Sequence, residues 1–313
     1  MIDPHVHLRD WNQAEKETVK HGLSVAKSCG FTHVFDMPNT NPPLTDRKTI
    51  LKRFELAKGI EGITYHLWAG ITADPEQIAE MVSVYNELYP RVVGLKMFFG
   101  QSTGNMGICD YETQLTVFRK LKELNYRGVV AIHAEKESLL QPERYIQGRF
   151  ETHSLARPAV AEIESVRDAI TIVEQSGFEG TLHIAHVSTK GAIEEIMKAR
   201  EKMRITMGVT PHHALFTMQD AADHDRYLKM NPPLRGEEDR RAVFVSLLDG
   251  TATWIESDHA PHTRQQKESG ASGIPGFENM LLLIETLRKA GISETRLHEL
   301  TYQNAAELFS LDV

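Results

Sequence analysis

The chain has 313 residues, enough for one (β/α)₈ barrel of roughly 250 residues or for two smaller domains, and its 41% hydrophobic and 25% charged content is globular rather than disordered or fibrous. No window approaches about 18 consecutive apolar residues and the opening MIDPHVHLRD lacks the basic and apolar segments of a secretory signal, so neither a membrane span nor an export leader is expected. A net charge of −8 with no Lys/Arg run argues against a nucleic-acid or membrane surface and points to a small-molecule partner, while Cys29 and Cys109, outside any CxxC spacing, fit a cytoplasmic chain with free thiols.

In chain order, short β-branched runs alternate with longer stretches of helical period. Met1–His7 reads as a strand and 13–28 as a helix, in which Gly22 is an unfavourable residue. Phe31–Met37 is the second strand, followed by a helix over 46–58 with Thr45 as its N-cap. Thr64–Ile71 and a helix over 75–89 follow, then Val92–Phe99 and a helix over 111–125 capped by Asp110. Gly128–Glu135, Thr181–Ser188, Arg204–Thr210 and Ala252–Ser257 complete the strands, with helices over 160–176, 190–202 and 237–249 and more helix after 278. Parallel strands need crossover helices, so this alternation predicts an α/β fold, a closed (β/α)₈ TIM barrel in preference to an open doubly wound sheet. No linker, repeat or low-complexity segment divides the chain, so one domain over 1–313 is expected. Two longer connections, Gly100–Cys109 and Thr263–Phe277, leave the C-terminal ends of strands 4 and 8 and read either as mobile lids or as plain solvated loops.

Residues at the C-terminal ends of barrel strands face the side where such folds do chemistry. Six of the 15 histidines fall there: His5 and His7 on strand 1, His133 on strand 5, His186 on strand 6, and His259 and His262 after strand 8. Residues i and i+2 of a strand share a face, so His5 and His7 can bind one metal ion together. Asp258 follows strand 8; a carboxylate there can bind metal and carry a proton, and the Gly/Ser-rich sequence after it argues against a mere helix cap. Lys96, inside VVGLKMFFG, is costly to bury charged. It reads either as a neutral amine that can react with CO₂ to give a metal-bridging carbamate, or as a lysine snorkelling out of the strand end. Arg9 shares the orientation of His7 and its planar fork suits a substrate carboxylate. Asn39 and Asn231 each offer an amide to a substrate amide or ureide, or are turn residues before proline. His183, three residues from His186, reads as structural, and His212 and His213 are not assigned as ligands.

Together, HVHLRD at 5–10, MPNTNPP at 37–43, GLKMF at 94–98, HAE at 133–135, HVS at 186–188, TPHH at 210–213, NPPLR at 231–235 and SDHAPHT at 257–263 resemble the dihydroorotases of the amidohydrolase superfamily. Allantoinases and hydantoinases share the metal motifs; MPNTNPP, NPPLR and DHAPHT lean toward dihydroorotase. The resemblance implies two divalent ions, expected to be zinc, with His5 and His7 on the first, His133 and His186 on the second, carboxylated Lys96 as the bridge, and Asp258 both bound to the first ion and shuttling the proton. It assigns Arg9, Asn39 and His262 to the substrate carboxylate and Asn231 to a further substrate contact. The implied reaction interconverts L-dihydroorotate and N-carbamoyl-L-aspartate in pyrimidine biosynthesis. Many relatives carry a β-sandwich flanking the barrel; His5 so near the start leads to the expectation that it is missing. A homo-oligomer or a transcarbamoylase partner remains open, as do a related cyclic amide as substrate and a catalytically silent barrel, although all six metal donors are present.

Overall fold

The computed structural model describes residues 1–101 and 106–311, with the side chains of 223–226 outside the described set. Its strands are β1 Ile2–Val6, β2 His33–Asp36, β3 Thr64–Gly70, β4 Val92–Phe98, β5 Val129–His133, β6 Thr181–Ile184, β7 Ile205–Val209 and β8 Trp254–Ile255. Between and after them run the longer helices α1 Val19–Ser28, α2 Arg47–Leu56, α3 Pro75–Leu88, α4 Tyr111–Glu123, α5 Ala159–Ser176, α6 Lys190–Ala199, α7 Glu237–Leu248 and α8 Phe277–Lys289. All neighbouring strands pair in parallel in the order β1 to β8. The barrel closes where Val6 meets His259 in a parallel bridge and the His7 amide donates to the His259 carbonyl at 2.7 Å. It is the expected TIM barrel and not the open sheet.

Local chemistry explains the element boundaries. Helix α1 starts at Val19 rather than 13, because the Asp10 carboxylate accepts the Val19 amide at 2.9 Å and the Thr18 hydroxyl caps the first turn. Gly22 in that helix is a packing requirement: a Cβ there would lie 2.6 Å from Leu8 and 2.8 Å from Glu17. The cap of α2 is Asp46, which accepts the Thr49 amide at 2.9 Å, and not Thr45; Asp110 caps α4 as expected. Strands 6 and 8 stop short of Ser188 and Ser257. The His186 amide donates to the Glu256 carboxylate at 2.6 Å and the Ser257 amide to Asp3 at 3.0 Å, so side chains take over where the ladder would continue.

Strand alternation sorts the core into layers. In β5, Val130 and Ile132 face the helices, Val129 and Ala131 fill the barrel interior, and His133 follows them on the inner side at the mouth. The N-terminal end is plugged by the last helical segment, Glu294–Leu308, which brings Phe309 edge-on to Phe35 at 5.0 Å and to Trp68 at 5.6 Å. Of the two expected lids, residues 102–105 of Gly100–Cys109 lie outside the described residues. The segment Thr263–Phe277 contains a short helix, Arg264–Glu268, and is pinned: the buried Lys267 ammonium donates to the carbonyls of Lys229, Ala271 and Gly273 at 2.9–3.0 Å.

Candidate active site

One cavity of about 450 Å³ opens at the C-terminal mouth, and every residue singled out above for a role lines it: His5, His7, Arg9, Asn39, Lys96, His133, His186, Asn231, Asp258 and His262. They arrive from six of the eight strand ends and from the segment after strand 7. Three of them, Arg9, His186 and Asp258, hold left-handed backbone angles (φ 44°, 41° and 46°). For residues other than glycine this costs about 1–3 kcal/mol each and persists only where surrounding structure enforces it.

Two donor groups stand side by side. His5, His7 and Asp258 place ligand atoms within 4.8 Å of one another, with His7 Nε2 3.0 Å and His5 Nε2 3.5 Å from the Asp258 carboxylate. His133 Nδ1 faces His186 Nε2 at 3.1 Å. Burial pushes His5 down to about 4 and His7 to about 3, with the Lys96 and Arg9 charges adding to it respectively, and His186 falls well below the usual imidazole range for the same first reason. These imidazoles are neutral at physiological pH, the form that binds metal. Burial raises the Asp258 carboxyl above its ordinary range, against the pull of His5.

Lys96 lines the same cavity, its charge acting on both His5 and His186, with its amine fully buried and without a hydrogen-bond partner, 5.1 Å from the Phe98 ring. The snorkelling alternative is therefore wrong. Register in β4 points the side chain into the barrel, and burial pushes its pKa down to about 8, leaving a neutral fraction near neutral pH. An orphaned buried amine beside neutral imidazoles fits a carbamate and the ions it would share better than it fits a bare ammonium.

The recognition side is equally concentrated. The Arg9 guanidinium is buried, donates from Nε to the Pro261 carbonyl at 3.2 Å, and sits 3.4 Å from His262 Nε2. Among the described residues no carboxylate lies within ion-pairing distance of it. The Asn231 oxygen accepts from His153 Nε2 at 2.7 Å, leaving its NH₂ for other partners.

Sequence reasoning missed the supports behind these groups. Glu135 holds His133 Nε2 at 2.8 Å and pairs with Arg157; Arg53 pairs with Asp36 at 2.7 Å and donates to the Arg9 carbonyl. His153 had no positional signal at all. Glu135 stood in the HAE motif, and Glu256 as a carboxylate inside a strand was the one further visible clue. His183 is buried and structural as expected, bonded to Thr206 and Glu256.

No protein-family model matches the chain. It is 35% identical over 314 residues to the dihydroorotase of Thermococcus kodakarensis, covering 99% of this chain and 68% of that protein. It is 35% identical over 294 residues to the dihydroorotase of Pyrococcus horikoshii, covering 94% of this chain and 61% of that one, so it spans roughly two thirds of the relatives it matches. Among solved structures, the L-hydantoinase (dihydropyrimidinase) of Arthrobacter aurescens superposes with a TM-score of 0.89 over 99% of this chain and 70% of that one, at 23% identity, a likeness of fold.

Proposed function

The chain belongs to the dihydroorotase-like cyclic amidohydrolases, and from that membership we propose that it catalyses the reversible hydrolysis of the ring amide of L-dihydroorotate to N-carbamoyl-L-aspartate. The observation that carries the substrate choice is Arg9. A guanidinium buried at the wall of the cavity with no carboxylate partner among the described residues is expensive until an anion enters. Dihydroorotate brings a ring carboxylate; allantoin, hydantoin and dihydrouracil bring none.

In this reading His5, His7 and Asp258 would hold one divalent ion and His133 and His186 a second, with a carboxylated Lys96 offering oxygens to both and zinc as the expected metal. Bound there, the ions supply Lewis-acid polarisation of the scissile carbonyl and a lowered pKa for water. Asp258 accepts the proton of the attacking water and delivers it to the leaving ring nitrogen. Its raised pKa brings it nearer the working pH, where proton transfer in both directions is efficient. Arg9, Asn39 and His262 hold the carboxylate and fix the orientation of the ring. His153 occupies the Asn231 oxygen, so Asn231 is left to donate its NH₂ to a ring carbonyl.

The test compares turnover of dihydroorotate, allantoin, hydantoin and dihydrouracil by wild type and by Arg9→Met. Loss of a charge-assisted contact should lower kcat/KM on dihydroorotate about thirtyfold, about 2 kcal/mol, and leave the uncharged rings unaffected. A wild type that turns over an uncharged ring better than dihydroorotate would overturn the assignment.

A further inference from the structure

Directly beneath the cavity floor lies a carboxylate that no catalytic step above uses. Glu256 is completely buried inside the barrel, where an apolar side chain would be the default filling. Four N–H groups converge on it. One oxygen accepts from His5 Nδ1 at 3.3 Å and from the His186 backbone amide at 2.6 Å. The other accepts from His183 Nε2 at 3.2 Å and from Trp254 Nε1 at 2.9 Å. Room for the group is made by Gly208, where a Cβ would stand 2.2 Å from the carboxyl carbon.

We propose that Glu256 is a positioning residue that sets one ligand of each metal group at once: the imidazole of His5 through its ring and that of His186 through its backbone. This rests on the metal reading of the site. A carboxylate can only accept, so His5 must carry its proton on Nδ1 and present the Nε2 lone pair, the atom that faces Asp258 at 3.5 Å. The His186 amide would otherwise have to continue the ladder. Bonded to Glu256 instead, it is held in the left-handed turn (φ 41°) that brings the ring to His133. His183 and Trp254 anchor the far oxygen from the layer below, so the carboxylate cannot swing to serve only one of the two. His133 has its own carboxylate, Glu135. Among the described residues, Glu256 is the acceptor that reaches both groups.

The experiment measures metal stoichiometry and affinity by chelator competition, together with the visible spectrum of the cobalt-substituted protein, in wild type, Glu256→Ala, Glu256→Gln and Gly208→Ala. Thermal melts of the same proteins report folding. Glu256→Ala should weaken both ions about 10–100-fold and alter the cobalt spectrum, the range typical of lost outer carboxylates. Glu256→Gln keeps an acceptor oxygen and should recover part of the loss. Gly208→Ala leaves the carboxylate in the chain but drives it from its place, and should shift affinity and spectrum the same way; with Glu256→Gln it decides the matter if Glu256→Ala does not fold. Wild-type affinity and an unchanged spectrum in folded Glu256→Ala or Gly208→Ala would overturn the positioning role while leaving the metal reading intact. A wild type that binds fewer than two ions would overturn the metal reading and this inference with it.

Discussion

The two ends of the barrel are built from the same eight strands and obey opposite rules. At the N-terminal end Trp68, Trp254, Phe35 and Phe309 pack ring against ring, and the Trp68 indole N–H is satisfied by the Pro4 carbonyl at 3.0 Å. At the C-terminal mouth the walls are polar, three of the cavity-lining non-glycine residues hold left-handed angles, and Lys96 Nζ, His186 Nδ1 and His262 Nδ1 are buried without partners. Burial in the first region and in the helical shell stabilises the fold enough to hold the second in a conformation that would not persist alone. The comparison predicts that substitutions at the mouth change chemistry with little effect on stability, and that those at the plug do the reverse.

The largest effect is expected from Lys96→Ala. On the proposed metal reading it removes the donor shared by the two groups, and it should abolish the second ion and cost several kcal/mol of transition-state stabilisation, on the order of 10³-fold or more in kcat. Short carboxylic acids added to the variant should restore part of both by standing in for the carbamate. Full activity and full metal content in Lys96→Ala would break the contrast at its centre.

Asp258→Asn comes next. In the proposed mechanism its proton transfer matters in the transition state, so kcat should fall about 10²–10⁴-fold with KM little changed, and the limb of the pH–rate profile set by this carboxyl should disappear. A limb that survives in the variant would assign the proton to another group.

At the other end, Phe309→Ala should destabilise the protein by about 3–5 kcal/mol, the cost of emptying a buried aromatic site. Metal content and kcat per folded molecule should match wild type. A denaturant titration beside a metal analysis reads both numbers, and a drop in kcat without a drop in stability would show that the plug is coupled to the chemistry.

The smallest effect is graded with pH. Burial pushes His66, near the plug, and His153 and His213, near the mouth, each down to about 4 from an ordinary 6.5. Above about pH 6.5 these rings are neutral in both folded and unfolded chains and cost nothing. As pH falls from there toward 4, the unfolded chain takes up protons that the fold excludes, so stability falls by up to about 1.4 kcal/mol per pH unit for each ring. Urea midpoints of the metal-free protein at pH 7 and pH 5 measure the slope, and His66→Gln should remove the plug's share of it. A midpoint independent of pH would show that these rings are protonated in the fold.

Periodicity and strand-end motifs were enough to place the eight strands, the main helices and ten of the residues that line the cavity, because both depend on neighbours a few positions away. Alternation alone puts His5 and His7 on one face, and the C-terminal end of a parallel strand is legible wherever a helix follows it. The sequence left Lys96 open between two fates, and only the register of β4 within a closed barrel decided that its amine is buried and unpartnered. The ends of β6 and β8 were misread for a related reason. Their amides leave the ladder for Glu256, 70 residues beyond His186, and for Asp3, 254 residues before Ser257. Of the buried supports, Glu256 showed only as a carboxylate inside a strand, and His153, Arg53 and Asp36 have no local signature, since a buried polar group acquires a positioning role only from partners that chain closure brings to it.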